Sequence, residues 1–168
     1  GEVRIVEDTG PVVEGYSRLC SNTLPEVTAW DRAFVDIDPT TTWFIEDDVF
    51  GSEENFAKLA ERTKDMPHEL LAFNIVSKDR MPHGTWWHLS AGLENPWKSF
   101  NPLCRLSGDL IQRVLDWWEE HRSFTFHEIL FASLATTRFD LRSFRNYPDS
   151  PVGPFHWRPV IPRKLCDG

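Results

Sequence analysis

Trp43-Phe44-Ile45-Glu46-Asp47-Asp48-Val49-Phe50 runs three large apolar residues into three acids and then into two more apolar residues. The first half suits a strand, since Trp, Phe and Ile are bulky or β-branched and Thr40, Thr41 and Thr42 lead in. Consecutive carboxylates do not suit a strand interior. At the strand's C-terminal end they gather at the rim of a sheet, where open α/β folds place their ligands. Adjacent carboxylates repel unless something positive holds them, and hard oxygen donors suit Mg²⁺ or Mn²⁺. The alternative is a solvated acidic turn after an edge strand. The apolar run before the acids favours a buried strand with a defined end, so Thr42–Glu46 is expected to be central in its sheet.

Working outward, Val3-Arg4-Ile5-Val6 predicts a short strand running into the turn-forming Glu7-Asp8-Thr9-Gly10-Pro11. Val27, Trp30, Ala33 and Phe34 recur at helical spacing and predict a helix over 25–35. After Gly51-Ser52, Phe56, Leu59 and Ala60 carry the apolar face of a helix over 53–64, with Glu53 and Glu54 suited to its N-terminus. Leu70 to Val76 is a near-continuous apolar run, as in a strand covered on both faces. It ends on the polar rim Ser77-Lys78-Asp79-Arg80.

The segment 81–99 has little periodicity but carries Trp86, Trp87, His88 and Trp97, a composition suited to a packed loop or to the wall of a binding cleft. Asn101 to Ser107 predicts a short strand placed near an edge by Pro102. Ser107 then caps a helix over 108–120. Phe124-Thr125-Phe126 alternates like an edge strand, a further helix opens at His127-Glu128, and a last strand-like piece lies around Phe139 to Phe144. The Pro-rich tail over 146–168 is expected to be extended and packed on the body through Phe155, His156, Trp157 and Arg158.

At 168 residues the chain fits one domain with a real core, and 40% hydrophobic residues place it among ordinary globular proteins. A net charge of −8 argues against a general nucleic-acid or anionic-membrane surface. Eight Trp and twelve Phe are many for this length; burial explains most of them, and aromatic platforms also suit flat ligands such as bases and sugar faces. Cys20, Cys104 and Cys166 are odd in number and widely spaced, which fits reduced thiols better than a zinc site or a disulfide framework. With no signal-peptide pattern and no long apolar run, a soluble and preferably cytoplasmic domain without a membrane segment is expected.

The acid triplet, His127-Glu128 and His156 together make a reaction centre conceivable. Asp48 is the best direct ligand for a divalent ion, with Glu46 on the same strand face and Asp47 on the opposite one if the strand persists. An ion there would bridge the phosphates of a nucleotide and neutralise a departing diphosphate. A carboxylate from another element, such as Glu128, would take a proton from an attacking hydroxyl. Equally, an acid in the first turn of a helix can serve only to complement the helix dipole.

The strand ending Trp43-Phe44-Ile45-Glu46-Asp47-Asp48-Val49 resembles the metal-binding DxD strand of glycosyltransferases with the GT-A fold, here in Glu-Asp-Asp form. His127-Glu128-Ile129-Leu130 resembles the second acidic motif of that pattern, and His156 stands where a C-terminal metal ligand is expected. The resemblance implies a single GT-A-like (Rossmann-like) α/β domain over 1–168, with a mainly parallel sheet and helices on both faces. With 42 residues before Trp43, its N-terminal nucleotide-binding unit is expected to be shortened.

The resemblance also implies a nucleotide-sugar donor, Mn²⁺ or Mg²⁺, and a glycan or other hydroxyl acceptor. Asp48, Glu46 and His156 are the implied metal ligands. Glu7, Asp8, Glu46, Asp47 and Arg158 form the implied donor-binding set, and Glu128 and His127 the catalytic one. Two alternatives stay open: a non-catalytic carbohydrate- or nucleotide-binding domain of the same fold, and a Mg²⁺-dependent phosphohydrolase or nuclease. Glu46 in the first acidic position counts against an aspartyl-phosphate hydrolase, and the charge of −8 counts against a nuclease.

Overall fold

The computed structural model describes residues 41–46, 49–83, 87–90, 92–121, 126–146, 150–152 and 155–157 and, for Trp118, Asn146, His156 and Trp157, the backbone alone. The strand over 3–6, the helix over 25–35, Phe124 and Thr125 lie outside the described residues, as do Trp86, Cys20 and Cys166. In chain order the elements are β1 (Thr41–Ile45), β2 (Val49–Phe50), α1 (Glu53–Thr63), β3 (Leu70–Ser77), β4 (Trp97–Ser107), α2 (Gly108–His121), α3 (His127–Leu134), β5 (Arg138–Asp140) and β6 (His156–Trp157).

The apolar run of β3 sorts by the two-residue period of a strand. Leu70 and Ala72 face a core shared with Cys104 and Leu106 of β4, Leu110 and Val114 of α2, and Leu130 and Phe131 of α3. Leu71 and Phe73 face the opposite core, with Leu103, Leu59 of α1, Leu141, Val152 and Phe155. Both faces are therefore covered, as the continuous hydrophobicity of that strand predicts.

Among the described residues the sheet order is β1-β4-β3-β5, a four-stranded sheet flanked by helices. β4 is antiparallel to both β1 and β3, and among the described residues only β3 and β5 pair in parallel. The expected mainly parallel sheet is thus corrected to a mixed one, although β1, β3 and β5 all run in the same direction. The placement of β1 is corrected too. Among the described residues it is an outer strand with β4 as its one neighbour, and Ile45 is 49% exposed.

Among the described residues the interior positions belong to β4 and β3. β4 begins at Trp97, inside the segment whose sequence lacks periodicity, and runs eleven residues with Pro102 inside it. A proline is tolerated away from an edge when the ladder is already interrupted. Along β3 two steps separate Leu71 from Phe73, whereas their partners Arg105 and Phe100 are five steps apart. The surplus chain bulges out between Phe100 and Arg105, where Asn101 and Pro102 lie. A smaller irregularity follows between Phe73 and Val76, where Asn74 adopts φ 53°, a left-handed conformation that Asn tolerates better than most residues.

Local chemistry sets the helix starts. Ser52 Oγ accepts from the backbone N–H of Asn55 (3.2 Å) at the start of α1, and Ser107 Oγ accepts from Leu110 (3.2 Å) at the start of α2. The piece expected as a strand over 139–144 divides into the short β5 and a 3₁₀ turn, Leu141–Asn146. Among the described residues, no helix is long and apolar enough to cross a membrane.

Candidate functional site

β1 regularly pairs with residues 103–107 of β4 and stops at Ile45, so β4 runs on past it. Helix α3 takes over along that stretch. Ser133 Oγ accepts from the Trp97 N–H (2.9 Å) and donates to the Trp97 carbonyl (3.1 Å). Ser99 Oγ donates to the Glu128 carbonyl (3.1 Å), and the Asn101 N–H donates to Glu128 Oε1 (3.3 Å). A helix laid along a strand in this way covers backbone groups that would otherwise lack partners.

The bulge receives the acidic strand end from the other side. The N–H of Glu46 donates to the Pro102 carbonyl (2.8 Å), and the Val49 N–H donates to the Glu46 carbonyl (3.1 Å) before the chain enters β2. The Glu46 side chain is 38% exposed, and its Oε1 lies 3.9 Å from Nε2 of His127, which is almost fully buried. His127 is held edge-on to Phe126, with ring centroids 5.0 Å apart, and tilted against Phe131 at 5.7 Å. Burial pushes the Cys104 thiol well above its ordinary pKa, and the charges of Glu46 and Glu128 push it further. Glu46 and the adjacent pair His127-Glu128, far apart in sequence, converge on Asn101-Pro102.

Asn101 and Pro102 are the residues that sequence reasoning missed. Pro102 inside an apolar run was a readable sign of an interrupted ladder, but it points equally to an edge strand. Asn101 is fully buried, and neither Nδ2 nor Oδ1 of its carboxamide has a hydrogen-bond partner among the described residues. Two buried polar atoms without partners are costly in a fold, at about 1–3 kcal/mol each.

Of the expected metal ligands, Glu46 is described, Asp48 lies outside the described residues, and His156 is described in its backbone alone. That backbone belongs to β6, which pairs antiparallel with β2 so that His156 stands across from Phe50 and Trp157 across from Val49. The C-terminal segment is therefore bridged to the residues that directly follow the acid triplet. Glu7, Asp8, Asp47 and Arg158 also lie outside the described residues. Among the described residues there is no group of three or more His, Cys, Asp or Glu side chains that would hold a metal ion. Glu46 and His127 offer a carboxylate and an imidazole, donors compatible with Mn²⁺.

In the aromatic segment before β4, Trp87 packs into the body while His88 is exposed. Trp87 is buried, and its indole N–H donates to the Met81 carbonyl (2.8 Å). Trp97 opens β4, with the Arg138 guanidinium 4.4 Å from its ring centroid. Asp79 and His88 are exposed on the turns that follow β3.

A carboxylate beside an imidazole, with a second carboxylate fixed by a backbone N–H, can bind a cation, orient hydroxyl groups or move a proton. Comparison with known proteins gives no matching family model, no matching curated protein and no matching solved structure.

Proposed function

We propose that the chain is a metal-dependent glycosyltransferase domain of GT-A type, moving a sugar from a nucleotide-sugar donor to a hydroxyl acceptor. The observation that carries the proposal is the convergence of Glu46, from the acidic strand end, with His127-Glu128, from the start of α3, on one bulge of β4. In this reading Glu46, Asp48 and His156 hold Mn²⁺ or Mg²⁺. When bound, the ion supplies positive charge for the leaving diphosphate. Asp47 and Arg158, with Glu7 and Asp8, belong to the donor side.

Glu128 is the acceptor's base. Its carboxylate is fixed through one oxygen by the Asn101 N–H, which restricts its orientation toward an incoming hydroxyl. His127 serves beside it as a buried imidazole that orients Glu46.

The test is calorimetric titration of a panel of nucleotides and nucleotide sugars with and without Mn²⁺, on the parent and on Asp48→Ala. Mn²⁺-dependent binding that Asp48→Ala abolishes, with its melting temperature retained, is the expected result. Equal binding by parent and variant removes the acids as a metal site. Mn²⁺-dependent binding without sugar transfer to any acceptor favours the non-catalytic binding domain instead.

A further inference from the structure

β6 is two residues long, and so is its partner β2. A ladder this short does not hold itself together in water. What fixes it is a side-chain contact one step beyond the bridge, where Gly51 follows Phe50 and Phe155 precedes His156. The Phe155 ring is 5% exposed and packs against Phe56, with centroids 4.7 Å apart at an interplanar angle of 57°. It also closes directly over Gly51. A Cβ built there would lie 2.6 Å from both Cδ1 and Cε1 of Phe155 and 3.3 Å from the Phe56 ring.

Among the described residues the one glycine with positive φ is Gly92, so Gly51 has backbone geometry that any residue can adopt. What glycine provides at position 51 is room. A bare backbone across from an aromatic ring lets the ring edge come close to the neighbouring strand, and a buried ring with no space to retreat makes the spacing of the strands rigid.

We propose that Gly51 and Phe155 form a latch that sets the position of β6, and with it His156, against the acidic strand end. They are positioning residues of the ion site. This rests on the ion-binding reading of Glu46, Asp48 and His156. Phe155 has a second hold on the body, because it shares a core with Val152, Leu59 and Leu71. The latch therefore ties the placement of the C-terminal ligand to the same core that carries β3.

The experiment measures Mn²⁺ uptake, by the paramagnetic resonance signal of the free ion, and amide hydrogen exchange at Val49, Phe50, His156 and Trp157. The proteins are the parent, Gly51→Ala, Phe155→Leu, the double variant and His156→Ala, all held well below their melting temperatures. Gly51→Ala is expected to weaken Mn²⁺ binding at least tenfold and to speed exchange at the bridge, with the Leu71 amide still protected. Phe155→Leu alone loosens the bridge and weakens binding several-fold. The double variant, in which the new methyl meets a side chain without a ring edge, recovers most of both losses, a non-additivity expected of groups in direct contact.

His156→Ala loses Mn²⁺ without loosening the bridge. Faster bridge exchange with unchanged Mn²⁺ affinity overturns the latch, and so does a loss of affinity that Phe155→Leu fails to relieve. A parent protein that takes up no Mn²⁺ overturns the ion site itself, and the latch with it, before any variant is compared.

Discussion

The backbone N–H of Asn101 donates to Oε1 of Glu128 across 3.3 Å, tying the acid that opens α3 to the same bulge whose Pro102 carbonyl receives the N–H of Glu46. Bulges re-aim side chains and recur beside active sites because they break a ladder without breaking the sheet. Here the bulge gives each acidic segment one backbone hydrogen bond. Both segments thus take their position from an interior strand of the sheet and not from exposed loops.

Glu128 therefore has two separable duties. As a hydrogen-bond acceptor it satisfies the Asn101 N–H, and as the proposed base it accepts a proton from the acceptor hydroxyl. Glu128→Gln keeps an oxygen for Asn101 and removes the basicity, so its melting temperature should stay close to the parent's while sugar transfer falls by about 10²–10⁴-fold. Glu128→Ala loses both functions and should also destabilise by about 1–3 kcal/mol, the range for a buried donor left without its acceptor. Urea unfolding beside a transfer assay separates the two variants. Near-parental transfer by Glu128→Gln would leave Glu128 with the structural duty alone.

The parts of the fold written in local periodicity were legible. The two-faced β3, the amphipathic α1 and α2 and the start of α3 at His127 follow from apolar spacing, and Ser107 was readable as the cap of α2. Strand order was not legible, because a strand's neighbours are chosen by contacts distant in sequence. Trp43-Phe44-Ile45 has the composition of a central strand yet pairs on one side only among the described residues, and Pro102 marks an edge by its usual meaning yet sits in the interior. The site was half legible. Glu46 and His127-Glu128 could be singled out as motifs, but nothing in either stretch says that a bulge at Asn101 would bring them together.

Arg105 shows what a buried charge does in this core. From the middle of β4 its guanidinium donates to the Thr63 carbonyl, to the Met66 carbonyl (2.8 Å) and to the His68 carbonyl (3.0 Å), closing the C-terminal end of α1 and the turn into β3. Burial lowers its pKa, and carbonyls at a helix end replace some of the lost hydration. Arg105→Met keeps the apolar stem and leaves the carbonyls without donors, so it should destabilise by roughly 3 kcal/mol in urea unfolding. Arg105→Lys keeps the charge but loses the planar fork, and should recover only part of that. A change below about 0.5 kcal/mol in Arg105→Met would mean that water reaches these carbonyls and that the cap is dispensable.

Acid stability should report on the end of β5. Burial of Asp140 opposes its ionisation, but the Arg142 side chain and backbone N–H, followed by the Ile75 N–H, more than offset this and hold its carboxyl below the ordinary carboxylate range. Glu69 is likewise held low: burial opposes ionisation, and the Thr136 N–H and Arg113 outweigh it. A carboxyl whose pKa is lower in the folded chain than in the unfolded one stabilises the fold above its unfolded pKa, near 4, and loses that contribution as pH falls through the folded value. The urea midpoint should therefore be flat from about pH 7 to 5 and decline below about pH 4. Asp140→Asn should cost about 1–2 kcal/mol at neutral pH, an amount kept small by the half-exposed Arg142. Its stability curve should be shallower in acid and converge on the parent's at the lowest pH, with the remaining slope coming from groups such as Glu69. Parallel curves with a constant offset would show that Asp140 acts through its shape and hydrogen bonds and that its charge adds nothing.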